Sequence, residues 1–185
     1  GAEGERPEGV MMSLDAPGLF GKRAARLHIP HEAKKAWTGW RQDVPVEPGK
    51  TYLFAAWLRT EDIRDKVQLH AHCRNADAEL CETKKHTGAG PALAGTSDWT
   101  LLSGLFEMPE DIAFFQLHLT MLATGTVWHD GVVLAEAAPG TVGRLESRQT
   151  PELAGVVAWP VNAIVKVFQE EPLPREVLPA RITVA

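Results

Sequence analysis

The densest set of chemically capable side chains lies in Lys66–Arg74. There Gln68, His70, His72 and Arg74 alternate with Val67, Leu69, Ala71 and Cys73. Strict alternation is the period of a half-buried strand, so both imidazoles share one face. A second run repeats the plan, with Gln116, His118 and Thr120 set against Leu117, Leu119 and Met121. Trp57 and Arg59 occupy the positions opposite to Phe54 and Leu58 in a third. Overlaid, these runs give a polar face of planar groups that offer donors and acceptors together. Such a mixture suits a pyranose, whose C–H face packs on indole while its hydroxyls pair with amides, imidazoles and guanidinium. The same residues admit a sharper chemistry. His70, His72 and His118 converging from one sheet can hold Zn²⁺ or Cu²⁺ with an open position. The bland alternative is a wet sheet face with incidental histidines.

The elements that must position these groups read as short strands. Pro48-Gly49-Lys50 forms a turn, because Pro sets φ and Gly accepts positive φ. Gln42, Val44 and Val46 alternate before it, and Tyr52, Phe54, Ala56 and Leu58 after it, which predicts a hairpin. Arg23–Ile29, Gly39–Val46, Thr51–Arg59, Lys66–Arg74, Trp99–Met108, Ala113–Leu122 and Thr126–Glu136 are expected strands, with Glu79–Thr83 as hairpin partner to Lys66–Arg74. Residues 1–20 read as irregular, and Lys84–Ser97, with three Gly and a Pro, as a long loop. Eight or nine strands with almost no helix mean a sandwich or barrel. Phe54, Leu58, Leu69, Ala71, Leu117, Leu119 and Met121 are the expected core. Trp37 and Trp40 flank Thr38-Gly39; Trp40 is the favoured cleft residue because it shares a face with Gln42. Trp99 is assigned to core packing and Trp128 to core or edge.

The 185 residues suffice for one domain with a real core and part of a second. A net charge of −5 argues against nucleic acid or an anionic membrane as partner. No apolar run approaches the roughly 20 residues that span a bilayer. Cys73 and Cys81 permit one disulfide or two free thiols, and their spacing fits no common zinc motif. Glycosidases need two carboxylates facing across a cleft, whereas most Asp and Glu here fall in turns. No nucleophile elbow, phosphate loop or dinucleotide fingerprint is present, so no catalytic residue and no catalytic cofactor is expected.

Three stretches taken together resemble a known family. They are GWRQDVPVEPGKTYLFAAWLRT from Gly39, WTLLSGLFEMP from Trp99, and LHLTMLATGTVWHDGVVL from Leu117. Their order and spacing resemble the jelly-roll carbohydrate-binding modules of the family 4, 9 and 22 type, over about Gly21 to Glu136. The resemblance implies an all-β jelly-roll sandwich of two antiparallel sheets that binds a polysaccharide across a concave face. Its site would comprise Trp57 as platform and Arg59 as rim donor, with Gln68, His70, His72, Gln116, His118 and Trp40. It also implies a structural Ca²⁺ on Asp130, matched by Glu3 and by carbonyls near Gly21-Lys22. The family's second acid after this Asp is here Gly131. Secretion and an appended glycoside hydrolase follow from the same resemblance.

The expected organisation is a module over 1–137, a linker over 138–150, and over 151–185 the start of a following β domain or a packed extension. Two other functional readings stand beside glycan binding. One is an interdomain sandwich with no glycan site; the other is a metal enzyme on the three histidines.

Overall fold

The computed structural model describes residues 8–15, 18–20, 22–137 and 165–166. Its strands are β1 (Met11–Asp15), β2 (Ala24–Ile29), β3 (Thr38–Pro45), β4 (Thr51–Arg74), β5 (His86–Glu107), β6 (Phe114–Met121), β7 (Thr124–Glu136) and β8 (Val165–Lys166). No helix occurs among the described residues. The expected linker over 138–150 and the tail over 151–185 lie outside the described residues, apart from β8, which pairs antiparallel with Val133 and Leu134.

β4 organises the molecule. Its 24 residues would span roughly 80 Å if straight, far beyond a domain of this size. It therefore bends from one sheet into the other. Core positions are even in its first half (Tyr52, Phe54, Ala56, Leu58) and odd in its second (Ile63, Val67, Leu69, Ala71, Cys73). The parity changes across a series of register shifts against β5 between Leu58 and Leu69. Asp62 and Asp65 sit there with φ of 50° and 80°, a region Asp tolerates better than most residues. Bulges of this kind bend a strand and re-aim its side chains.

The two halves serve different sheets. In one, the strands run β1, β2, β7, the first half of β4 and the second half of β5. In the other they run β3, β6, the second half of β4 and the first half of β5. Phe54 of the first sheet meets Phe115 of the second edge-on, with ring centroids 5.8 Å apart. Phe106 approaches the same ring at 5.9 Å. All seven expected core residues are buried. The architecture is the all-β jelly-roll sandwich expected.

Five local expectations are corrected. The Pro48-Gly49 turn forms, but β3 and β4 do not pair as a hairpin; they diverge into opposite sheets. Thr51–Arg59 and Lys66–Arg74 belong to one strand rather than two. The expected loop Lys84–Ser97 lies largely in β5, its glycines standing at irregular points of a long strand. Glu79–Thr83 contributes a single bridge, Arg74 to Leu80. Met11–Asp15, within the expected irregular region, pairs with β2.

Candidate functional site

The second sheet builds a polar trough. Antiparallel register sets His70 opposite His118 and His72 opposite Gln116, so these four side chains share a face. β3 adds Arg41 opposite His118 and Asp43 opposite Gln116. β5 adds His86 opposite His72 and Gly88 opposite His70. Gly88 keeps the edge open: a Cβ there would lie 2.7 Å from Gln68 Nε2. Imidazole centroids fall 4.6 Å apart for His70 and His118, 4.1 Å for His72 and His118, and 4.5 Å for His72 and His86. The Trp37 indole covers one end, 5.0 Å from the His70 ring, and remains 55% exposed.

Hydrogen bonds fix the orientation of the floor. Gln116 Nε2 donates to Asp43 Oδ1 at 2.8 Å, and Gln116 Oε1 lies 2.9 Å from His118 Nε2. A carboxylate accepts, so the amide nitrogen must face Asp43 and the carbonyl oxygen must face the imidazole. His118 therefore carries its proton on Nε2 and its lone pair on Nδ1. His70 Nε2 lies 3.4 Å from Thr120 Oγ1. The Nδ1 atoms of His70 and His72 are buried without a partner at hydrogen-bond geometry.

Burial makes the trough histidines poor bases. Desolvation, reinforced by the neighbouring imidazoles and by Arg41 and Arg74, lowers His118 to about 2. Desolvation and His86 lead the same effect on His72, lowered to about 4. His70 is lowered chiefly by burial, against the opposing carbonyl of Gln68. At neutral pH the floor is thus uncharged, between the guanidiniums of Arg41 and Arg74 and the Asp43 carboxylate.

Of the residues expected to form one site, Gln68, His70, His72, Gln116 and His118 come together. Trp57 and Arg59 do not. They lie on the first half of β4, opposite Asp130 and Trp128 of β7, before the strand changes sheet. The Arg59 guanidinium stacks on the rings of Trp128 at 4.0 Å and Trp99 at 5.5 Å. Trp57 stands edge-on to Phe20, with centroids 6.0 Å apart. Trp99 is half-buried in this stack rather than in the core, and Trp128 lies buried beneath Arg59.

Trp40 is likewise displaced from the trough. It pairs with Leu119 and packs against the core. The exposed indole is Trp37. The signal was available: Val44 and Val46 share Trp40's parity and are buried, which places Arg41 and Asp43 on the outer face. His86 gives no such signal, because the glycines and proline that follow it read as a loop.

Asp130 is buried, and both its oxygens accept backbone N–H groups: Oδ2 from Phe20 at 2.9 Å and Oδ1 from Gly131 at 2.7 Å. Gly131 has φ +55°, and a Cβ there would sit 2.9 Å from the Phe20 ring and 3.2 Å from Trp57. The Phe20–Trp57 pair thus fills the space that a second acid would need. These described groups fit a clamp on the 18–20 loop and do not fit a two-carboxylate calcium cage. Glu3 lies outside the described residues.

A separate concavity is lined by Glu82, Lys84, Glu107, Glu110 and Asp111. It carries no aromatic ring, and four carboxylates face one lysine; the trough is the better site on chemistry.

No protein-family model matches the sequence, and no curated protein matches it. Solved structures do resemble it. The enzymatically active domain of tailspike protein 4 of bacteriophage CBA120 aligns with a TM-score of 0.54 and 12% identity, over 69% of this chain and 18% of that chain. The CBM22-1 and GH10 modules of Clostridium thermocellum xylanase 10B, complexed with xylohexaose, align at 0.52 and 14%, over 73% of this chain and 26% of that chain. The CBM22-1 xylan-binding domain of Paenibacillus barcinonensis Xyn10C aligns at 0.53 and 12%, over 72% of this chain and 86% of that domain.

The fold is the jelly-roll sandwich found in these solved domains.

This likeness covers most of a whole module in the last case, but only a small part of the first two proteins. It concerns the sandwich and leaves the site to be argued from its own residues.

Proposed function

We propose that this protein is a non-catalytic carbohydrate-binding module and that a glycan chain lies along the trough of the second sheet. One observation carries the reading. An exposed indole, Trp37, stands at the end of an open face whose floor and walls are imidazole, amide, guanidinium and carboxylate groups. Indole offers a sugar its apolar face, and the planar polar groups offer its hydroxyls both donors and acceptors. The solved modules of similar fold include a xylan-binding domain and one complexed with xylohexaose, which makes a β-1,4-linked xylan the first ligand to try.

Such a module would act in a secreted enzyme, tethering an appended glycoside hydrolase to its polysaccharide and raising the local substrate concentration. The Ca²⁺ implied by the resemblance is not needed for this role, because backbone N–H groups already hold the Asp130 carboxylate.

The test is affinity electrophoresis against xylan, β-glucan, mannan and galactan. Retardation by at least one is expected, and Trp37→Ala should remove it while leaving thermal unfolding unchanged within about 0.5 kcal/mol. Absence of retardation on a broad glycan array would leave a scaffold sandwich as the reading.

A further inference from the structure

We propose that the trough holds a divalent transition metal on His70, His72 and His118, with Zn²⁺, Cu²⁺ and Ni²⁺ as the class. The inference goes beyond the glycan reading and does not depend on it. One ring nitrogen from each histidine lies within 4.8 Å of the other two. A tetrahedral ion with bonds of about 2.0–2.1 Å wants its nitrogens roughly 3.4 Å apart, so each ring closes inward by less than about 1 Å. Rotation about side-chain torsions supplies that movement within staggered wells.

Each ring has a nitrogen not committed to a strong hydrogen bond. His70 Nδ1 and His72 Nδ1 are buried without a partner. Asp43, through the Gln116 amide, holds the proton of His118 on Nε2 and leaves Nδ1 for the ion. Carboxylate-to-imidazole relays of this kind orient ligands in metal sites. Three imidazoles select borderline cations over Ca²⁺ or Mg²⁺. Arg41 and Arg74 oppose a cation on this face; the Asp43 carboxylate offsets part of that field. Three protein ligands would leave a fourth position for solvent or a ligand hydroxyl.

The experiment uses the full chain, untagged, stripped with EDTA and dialysed against metal-free buffer. Zn²⁺ is titrated by calorimetry, and Co²⁺ is added in parallel to follow visible absorption. One equivalent of Zn²⁺ per chain is expected, with a tetrahedral-strength Co²⁺ band. Gln116→Ala, which frees the His118 proton, should weaken Zn²⁺ binding about 10–100-fold. His70→Gln and His72→Gln should each abolish the Co²⁺ band, while His86→Gln keeps it. His118→Ala also removes a buried side chain, so the two Gln variants decide the matter if it fails to fold. Less than about 0.2 equivalents bound, or one equivalent that survives His72→Gln unchanged, overturns the proposal. Glycan retardation measured in EDTA separates this outcome from failure of the sugar site.

Discussion

The Arg59 guanidinium lies 4.0 Å from the centroid of the Trp128 ring. It is sandwiched toward Trp99 on the first sheet, away from the trough histidines. This stack ties β4 to β7 and to β5.

Arg59→Ala should therefore cost stability rather than binding. Loss of the stacked cation is worth about 1 kcal/mol, and buried stem methylenes add to it. Chemical unfolding should show a lower midpoint, with glycan retardation unchanged. Trp57→Ala should act in the same way through lost packing on Phe20. A variant with native stability and no retardation would move the sugar site to this face.

Acid should unfold the protein early. His72 is lowered to about 4, His118 to about 2 and His129 to about 3, all chiefly by desolvation. In the unfolded chain each titrates near 6.5. Between those values the unfolded state binds protons that the folded state refuses, so stability falls as pH drops below about 6.5. Asp130, raised by burial, works in the opposite sense, but it is one group against these three and His70, which burial also lowers. The urea midpoint should drop clearly between pH 7.5 and pH 5, with uptake of about three to four protons on unfolding. His129→Gln should shrink that uptake by about one. A midpoint flat across this range would contradict the buried, neutral imidazoles.

The two thiols should be silent in the native state. Cys73 and Cys81 are free and fully buried, and the Cys81 N–H donates to the Cys73 carbonyl at 3.0 Å. Burial raises both, Cys81 to about 11, with Asp111 adding to the effect on each. Little thiolate then exists at pH 8, and access is closed. A disulfide-exchange reagent should label neither cysteine within minutes in native buffer and both in denaturant. Rapid native labelling of either would require an open β4 end.

The sequence alone determined most of the strands and, within each, which side chains face the core. Alternation is a local property: each strand buries one parity because water leaves apolar side chains on one side of a pleat. Val67, Leu69, Ala71 and Cys73 therefore announced both the core and the outward histidines. The same rule, applied to Val44 and Val46, would have sent Trp40 inward and Arg41 and Asp43 outward. Which faces meet is not local. Trp57 and His70 occupy one strand and both point away from the core, yet the irregular stretch between Leu58 and Leu69 carries β4 across the sandwich and leaves them on opposite outer surfaces. The tertiary fold decided this, because the positions of bulges and sheet crossings depend on partners distant in the chain. It likewise decided that Trp37, Arg41, Asp43 and His86 join Gln116 and the three histidines, and that Phe20 and Trp57 close the space beside Asp130.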